Sequence, residues 1–502
     1  MRLLSLAKRW LYISHRWLGI VLCLFMAIWY FSGVVMMYVG YPKLTPAERL
    51  AHLPDLVLPE ACCVSPQQAL LATGLESKAT PEFRLAMLGD TPYWLVSEAK
   101  RGTFAVNARS GALVSSFDSR HAIQVARYFA PDRYPRLLET ISGDIFSVSR
   151  ALDTHRPLHL LALDDAEGTE LYVSSRTGEV IRDSTRVERI WNWGGSILHW
   201  LYPLKGEWLD RWRADIIIYL SLFGTLLSII GLWVGLLRWR FHGTYGSGSR
   251  SPYRAAWMKW HHWTGLVFGL VTITWIFSGL MSMNPWKVFE SSGTKPDTRI
   301  LAGIRLDQAS PLVSASEAIS RAGFPVRELS FRLFNGHPYY LLQAADGHSV
   351  LLAADDRSAK PFARFSEVEM TEVAQRLMPG TKVKSVERLE SYDTYYYARR
   401  PHTMSGHVER RLPVLRVAYD DPQHTWLHLD PYSGGIQSRI DDNGRLKRWL
   451  FNFLHSWDAW GWTNSRPAWD IALVSLSAGG FALCVTGVVI GWRRLRRPKR
   501  SA

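Results

Sequence analysis

Four long apolar runs divide the chain. Each contains more than twenty residues without an Asp, Glu, Lys or Arg, and they occupy residues 17–39, 216–237, 263–283 and 471–492. About 20 such residues, at a helical rise of about 1.5 Å each, cross a hydrocarbon core of roughly 30 Å. A buried helix of a soluble protein would normally keep a polar stripe. The pattern therefore predicts four transmembrane helices.

The two long connections between the apolar runs have a different pattern. Short alternating segments predict strands, among them 83–87, 93–96, 143–152 and 158–163, and helical periodicity appears near 121–129 and 366–377. Helices grouped with short antiparallel strands give an α+β class. We therefore predict an α-helical membrane protein with four transmembrane helices in two tandem repeats, plus two α+β domains.

The repeat is visible in the residues themselves. His15, Gly19 and the stretch Phe31-Ser32-Gly33 return 246 residues later as His261, Gly265 and Phe277-Ser278-Gly279. A second set recurs at an offset of 256 residues, and it pairs His199 with His455, Gly231 with Gly487 and Gly235 with Gly491. Self-similarity of this kind is typical of membrane proteins built from one unit used twice.

These patterns predict eight segments. They are 1–40 (amino terminus and helix 1), 41–189 (first α+β domain), 190–237 (aromatic interfacial segment and helix 2), 238–262 (loop), 263–283 (helix 3), 284–446 (second α+β domain), 447–492 (interfacial segment and helix 4) and 493–502 (basic tail).

Charge predicts the orientation of the chain. Residues 1–16, 238–262 and 493–502 carry four, five and six Lys or Arg and no acid, which together equal the formal net charge of +15. By the positive-inside rule these segments face the cytoplasm, so both α+β domains face the opposite side of the membrane. The basic excess is fully accounted for as a topology signal in contact with the lipid bilayer, and no nucleic-acid partner is implied.

Four histidines at matched positions suggest a cofactor. Imidazole is a common axial ligand of b-type haem, and facing helices can supply one ligand each. If equivalent residues lie opposite each other, His15 and His261 would hold one haem iron and His199 and His455 a second. The alternative for each histidine taken alone is an ordinary interfacial residue. The pattern as a whole favours two haems b.

Glycines accompany two of the histidines. Gly19 and Gly265 lie four residues after His15 and His261, on the same helix face, where the absence of a side chain would let a macrocycle approach the backbone. The alternative is that these glycines serve only helix packing. One difficulty is that Gly231 lies 32 residues beyond His199. His199 can reach a site in the membrane only if its segment folds back near residues 203–206.

Further histidines and aromatic residues define a candidate substrate rim. These residues could bind an anionic or metal-chelate ligand near the second haem, or could be ordinary residues of a basic and aromatic surface. They are His155, His159, Tyr397, Arg399 and His402.

The motifs H-R-W-L-G, F-S-G and D-P-x-S-G together resemble the PepSY-associated transmembrane family of bacterial inner-membrane proteins, over nearly the whole chain. This resemblance implies PepSY-like periplasmic domains. Some members are iron-regulated proteins or ferric siderophore reductases described as di-haem proteins, which implies haem-ligand roles for His15, His199, His261 and His455. The larger duplicated domains of this chain depart from the compact reductases and leave the electron acceptor open.

The sequence thus supports two functions of different classes. One is a haem-dependent conduit that takes electrons from a donor such as quinol and reduces a periplasmic ferric siderophore. The alternative is a non-redox, membrane-anchored protein that binds peptides, proteases or cell-wall components. A transporter is less attractive, because no apolar run contains an ionisable residue that would mark a substrate path.

Overall fold

A computed structural model describes most of the chain. The described residues are 2–59, 62–76, 82–206, 208–291, 293–403, 406, 408–459 and 461–496. Of the basic tail predicted at 493–502, residues 497–502 lie outside this part.

Fourteen α-helices are present in the described residues. They are α1 (Arg2–Tyr38), α2 (Pro46–His52), α3 (Pro66–Thr73), α4 (Ser119–Phe129), α5 (Arg186–Gly194), α6 (Ser196–His199), α7 (Asp210–Arg238), α8 (Ala256–Ser282), α9 (Arg299–Ala302), α10 (Ala315–Ser320), α11 (Glu367–Leu377), α12 (Asp442–Lys447), α13 (Leu454–Ser456) and α14 (Ala468–Leu495). Short 3₁₀ turns lie at Arg150–His155, Tyr202–Leu204, Pro285–Lys287 and Leu306–Gln308, and a π-helical turn at Arg448–Phe453.

Four of these helices, α1, α7, α8 and α14, are long and apolar enough to cross a membrane. The prediction of four long apolar helices at these places is confirmed, although α1 and α8 begin well before the apolar runs because their basic lead-in residues are helical too. The helices form a closed ring in which α1 contacts α7 and α14, and α8 contacts the same two. Buried side chains from all four helices fill the centre, among them Met26, Leu227, Trp275 and Cys484.

The strands of the two connecting regions form three sheets. They are β1 (Glu82–Leu88), β2 (Thr91–Glu98), β3 (Gly102–Asn107), β4 (Leu113–Val114), β5 (Arg136–Ile141), β6 (Leu158–Ala162), β7 (Glu170–Ser174), β8 (Val180–Ser184), β9 (Glu328–Phe334), β10 (His337–Gln343), β11 (Ser349–Ala353), β12 (Val383–Leu389), β13 (Val414–Tyr419), β14 (Trp426–Asp430) and β15 (Gly435–Ile440).

One sheet combines strands from both connecting regions. It has the order β11-β10-β9-β1-β2-β3-β4, with β1 antiparallel to β9 and Phe83 opposite Phe331. Helices α3 and α10 cover one face over a common core that includes Leu70, Trp94 and Ala318. Residues 41–189 and 284–446 therefore are not two independent domains, because they share this sheet. The pairing of β1 with β9 also removes an exposed edge strand from each half.

The other two sheets have four strands each, in the orders β5-β6-β7-β8 and β12-β13-β14-β15. Helix α4 packs between the shared sheet and the first of them, and α11 packs between the shared sheet and the second. The strand predicted at 143–152 is wrong. This stretch contains a turn, in which Asp144 and Ser147 bond to each other, and then the 3₁₀ turn that ends at His155.

A buried ion cluster lies where the two halves meet. Arg84 on β1 forms ion pairs with Glu179 and with Glu328 on β9, both at 2.9 Å, and Arg49 pairs with Glu328 at 2.8 Å. Burial alone would raise the pKa of Glu328, but the charges of Arg49 and Arg84 outweigh it and lower this pKa to about 2. The cluster therefore contains two ionised carboxylates held by two guanidinium groups.

Candidate functional site

The first histidine pair lies between α1 and α8. The ring centres of His15 and His261 are 6.1 Å apart, and the ring planes are inclined by 41°. Both side chains enter the same cavity inside the helix ring, which also has Gly19 and Gly265 in its wall. The pairing expected from the repeat is therefore present in the structure.

The second pair requires the chain to fold back. His199 ends the short helix α6, which follows a break at Gly195, and Leu201 takes a left-handed conformation with φ of 50° before the turn at Tyr202–Leu204. The side-chain amide of Asn192 donates to the carbonyl of Gly40 at 2.9 Å, and Trp29 donates to the carbonyl of His199 at 3.1 Å. These contacts hold His199 against α1.

His455 reaches the same place from the other half of the chain. It follows the π-helical turn Arg448–Phe453, and Trp457 takes a left-handed conformation with φ of 48° directly after α13. The rings of His199 and His455 are 6.2 Å apart with planes inclined by 73°. Two short re-entrant segments thus deliver one imidazole each.

Hydrogen bonds fix the tautomer of three of the four rings. Ser32 donates its hydroxyl proton to the carbonyl of Ile28 at 2.7 Å, so its oxygen is left to accept from Nδ1–H of His199 at 2.9 Å. Ser278 donates to Trp275 and accepts from His455 at 3.0 Å in the same way. Each ring then carries its proton on Nδ1 and leaves the Nε2 lone pair available to a metal.

His261 has the same arrangement with a different hydroxyl. Thr486 donates to the carbonyl of Leu483 at 2.7 Å and accepts from Nδ1 of His261 at 3.0 Å. The corresponding residue for His15 would be Ile230, 256 positions earlier, which has no hydroxyl. Nδ1 of His15 is buried without a hydrogen-bond partner that meets standard geometry among the described residues.

The ring spacing in both pairs matches two imidazoles on one metal ion. A metal–nitrogen bond of about 2.0 Å on each side, plus about 1.1 Å from nitrogen to ring centre, separates the two ring centres by about 6 Å. The observed separations are 6.1 and 6.2 Å. The described residues contain no cluster of three or more metal-ligating side chains, so a metal at either pair would need most of its ligands from another source. A porphyrin supplies four in-plane nitrogens.

Each histidine pair lies in a cavity large enough for a cofactor. The cavity at His15 and His261 has a volume of about 540 Å³ and that at His199 and His455 about 610 Å³. Cofactor pockets typically measure about 300–1,000 Å³ and are mostly apolar. Both cavities therefore fit a haem by volume as well as by ligand spacing.

Glycines make room for the rings. A Cβ at Gly231 would lie 2.7 Å from Cε1 of His15, and one at Gly487 would lie 3.4 Å from Cε1 of His261. At the second pair, a Cβ added at Gly33 would lie 3.8 Å from Cε1 of His199, and one added at Gly279 would lie 3.8 Å from Cε1 of His455. Gly19 and Gly265 have only ordinary contacts and border open cavity.

Cations lie at the polar end of both cavities. Four arginines and no acid line the first, namely Arg16, Arg238, Arg493 and Arg494. Five cations and one acid line the second, namely Arg213, Arg399, Arg400, Lys447, Arg466 and Asp458. Both cavities therefore favour a ligand that has an apolar body and carries its negative charge on separate groups, which the cations can contact.

His262, the neighbour of His261, is excluded as a ligand. Its Nδ1 bonds to the Ser251 hydroxyl at 2.8 Å and its Nε2 to the carbonyl of Gly235 at 2.9 Å. Neither nitrogen has a lone pair directed at the cavity. The structure therefore agrees with the sequence repeat, in which the counterpart of His15 is His261 and not His262.

The predicted substrate rim is only partly present. Arg399 lines the second cavity, where it pairs with Asp458, and Tyr397 donates to the same carboxylate at 2.5 Å. His402 lies outside the cavity wall and contacts Glu48 at 2.6 Å. Tyr397, Arg399 and His402 all belong to the segment that connects β12 to β13.

The assignment of His155 and His159 to that rim is wrong. Both ring nitrogens of His159 are used inside the sheet, by Thr140 at 2.9 Å and by the carbonyl of Phe117 at 3.0 Å. His155 lies beside Ser174 and close to Glu179, and burial lowers its pKa. Both histidines serve the fold of the first half rather than a site at the membrane.

Sequence reasoning missed the hydroxyl groups that hold the rings. Ser32 and Ser278 lie in the repeated F-S-G stretch, so the same hydroxyl at a 246-residue offset was the available signal. Thr486 has no counterpart in the first half, and only its distance from His261 reveals its role.

Comparison with known proteins agrees with this architecture. The family model described as the PepSY-associated TM region matches residues 12–494. No curated protein matches the chain significantly. The matched region includes all four spanning helices and both connecting regions, so the chain belongs to the PepSY-associated transmembrane family.

Proposed function

We propose that the protein is a di-haem b electron conduit of the bacterial inner membrane, built from two tandem copies of one unit. Both termini would lie in the cytoplasm and the three sheets in the periplasm, as the basic segments suggest. A donor such as quinol would deliver electrons at the His15 end, and a ferric chelate of the siderophore type would receive them at the His199 end. One quinol releases two electrons and two protons, so it reduces two Fe(III) chelates.

The observation that carries the proposal is the pair of opposed imidazoles with their tautomers set. Ser32, Ser278 and Thr486 each accept from Nδ1–H, which leaves the Nε2 lone pair of each ring available to a metal and raises the basicity of the imidazole. Haem b, when bound, would supply one-electron transfer. The hydroxyl groups of this chain would orient three of the four histidine rings, the apolar cavity walls would exclude water, and the cationic residues would hold the acidic groups of the cofactor.

A spectroscopic experiment tests the proposal. The full chain would be purified in detergent, and its reduced minus oxidised visible spectrum and haem content per chain would be measured. We expect a b-type spectrum and two haems per chain. His15→Ala and His199→Ala should each lose one of them, and paramagnetic resonance of the oxidised wild type should show low-spin iron with two imidazole ligands.

His262→Gln is the matched control, because His262 lies in the same cavity but has both nitrogens bonded to protein. It should retain both haems. Protein from haem-replete cells that contains no haem would overturn the proposal and favour a membrane-anchored binding protein. Loss of haem in the control alone would also contradict the assignment of ligands.

A further inference from the structure

A thin layer of side chains separates the two cavities. On α1, Met26 lines the first cavity and Tyr30 lines the second, one helical turn further on. On α8, Thr272 lines the first and Ile276 the second. The cavities therefore lie end to end inside the helix ring, with about one turn of α1 and of α8 between them.

Tyr30 fills the centre of this layer. It is 5% exposed, and its hydroxyl donates to Oγ1 of Thr272 at 2.8 Å, while Thr272 donates to the carbonyl of Phe268 at 2.9 Å. A Cβ at Gly480 would lie 2.6 Å from the Tyr30 hydroxyl oxygen and closer still to the ring. The ring therefore rests directly on the backbone of α14 and is held at its far end by α8.

The matching position in the other half holds a smaller residue. Ile276, 246 residues after Tyr30, faces Gly224, where an added Cβ would lie 3.1 Å from its Cγ2. Thr272 likewise stands where the first half has Met26. The layer is therefore asymmetric, with a tyrosine ring from the first half and the smaller side chain of Ile276 from the second.

The outer ends of the two cavities are polar. Arginines line the first, and Arg400 and Lys447 line the second. Without the layer at Tyr30, the cavities would join into one path with charged residues at both ends. Narrow constrictions of bulky, mostly apolar side chains exclude water from such paths.

We propose that Tyr30, seated on Gly480 and bonded to Thr272, is the seal that keeps water and protons from crossing between the two cavities. The side chain acts as a barrier and is not one of the four histidines proposed to bind a metal. This role holds whether or not a cofactor fills the cavities, so it stands independently of the haem proposal.

Proton flux across proteoliposomes tests the seal. The full-length wild type and its variants would be purified from haem-limited cells and reconstituted into liposomes with a pH-sensitive dye inside. Proton entry would then be followed after a potassium–valinomycin potential is imposed. Tyr30→Ala should raise the proton flux several-fold above the wild type in the haem-limited preparation. Tyr30→Phe keeps the ring and should leak far less than Tyr30→Ala.

Three further variants keep the result interpretable. Gly480→Ala should displace the ring and also leak, which provides a second approach if Tyr30→Ala does not fold. Phe31→Ala changes an aromatic residue of the same helix that is 49% exposed, and it should match the wild type. Ile276→Ala should leak less than Tyr30→Ala. Proton flux equal to the wild type in both Tyr30→Ala and Gly480→Ala would overturn the proposal.

Discussion

Ser32 and His199 are joined by a 2.9 Å hydrogen bond that links a spanning helix to a re-entrant segment 167 residues further along the chain. Because the serine hydroxyl already donates to Ile28, the contact sets which nitrogen of the imidazole carries the proton. The same relationship recurs between Ser278 and His455 at 3.0 Å. In each half, a serine hydroxyl that donates to a backbone carbonyl thus sets the tautomer of one ring of this pair.

Removal of the hydroxyl should weaken cofactor binding at this pair alone. We expect Ser32→Ala to reduce haem affinity at the His199 site by about 10- to 100-fold, the usual effect of losing such a supporting contact. Haem titration of the haem-free protein, resolved by paramagnetic resonance, measures it. Ser221→Ala, which changes another hydroxyl in the wall of the same cavity, is the control and should bind normally. Equal affinity in wild type and Ser32→Ala would contradict this role.

A methyl group added at Gly231 should disturb the pair formed by His15 and His261. The added Cβ would lie 2.7 Å from Cε1 of His15, so the ring must rotate away from His261. We expect Gly231→Ala to lose the haem at His15 while the second site keeps its own, which the haem content and the low-spin signal would report. Gly246→Ala is the control, since its Cβ would meet nothing within 4 Å. Two haems retained in Gly231→Ala would show that the ring has more freedom than the structure indicates.

The buried ion cluster predicts a large stability effect. Glu328→Gln removes one of two carboxylates that face Arg49 and Arg84 and leaves excess positive charge buried. We expect a loss of about 3 kcal/mol in unfolding free energy, in the range for a broken buried ion pair. Thermal unfolding measured by circular dichroism tests this. Glu367→Gln, at a more exposed ion pair with Arg388, should change stability much less.

The same cluster predicts a pH dependence with a definite sign. The pKa of Glu328 falls from an ordinary 4.5 to about 2 in the folded protein. Its contribution to stability is therefore complete above about pH 4.5 and is lost as the pH falls towards 2. Between these values the wild-type unfolding temperature should decrease more steeply than that of Glu328→Gln. Parallel curves for the two proteins would exclude Glu328 as a source of the acid sensitivity.

Unpaired cations in the wall of the second cavity predict a preference for anionic chelates. Arg400 and Lys447 form no ion pair among the described residues, whereas Arg399 is bound to Asp458. Arg400→Ala with Lys447→Ala should weaken binding of ferric citrate, and added salt should weaken binding to the wild type in the same direction. Equilibrium binding measures both effects in preparations with equal haem content, with Lys360→Ala on the exposed surface as the control. A neutral ferric chelate should be bound equally by all three proteins.

The sequence predicted the spanning helices and the histidine pairs, and the reason is physical. An uncharged run longer than twenty residues has few alternatives in a lipid environment, and a residue repeated at a fixed offset takes an equivalent place in each half. Alignment with His15 favoured His261 but left His262 open as the ligand, and only the structure shows that Ser251 and Gly235 occupy both nitrogens of His262.

Contacts between distant parts of the chain could not be predicted in the same way. Nothing in the sequence of β1 or β9 indicates that the two strands pair, because a mostly buried run of this kind suits any neighbouring strand. His159 likewise carries no sign that Thr140 and Phe117 satisfy its ring. The role of Thr486 depends on a distance across two helices, and the fold-back at His199 could only be posed as a requirement.

The pairing of β1 with β9 has a mechanical consequence for the membrane part. Residues 83–86 of one half are hydrogen-bonded to residues 328–331 of the other, and each strand is continuous with its own pair of spanning helices. Rocking of one helix pair against the other, the motion by which many two-repeat transporters alternate their access, would pull this seam apart. The shared sheet therefore resists such rocking and keeps the opposed imidazoles at constant separation, as the proposed electron transfer would require.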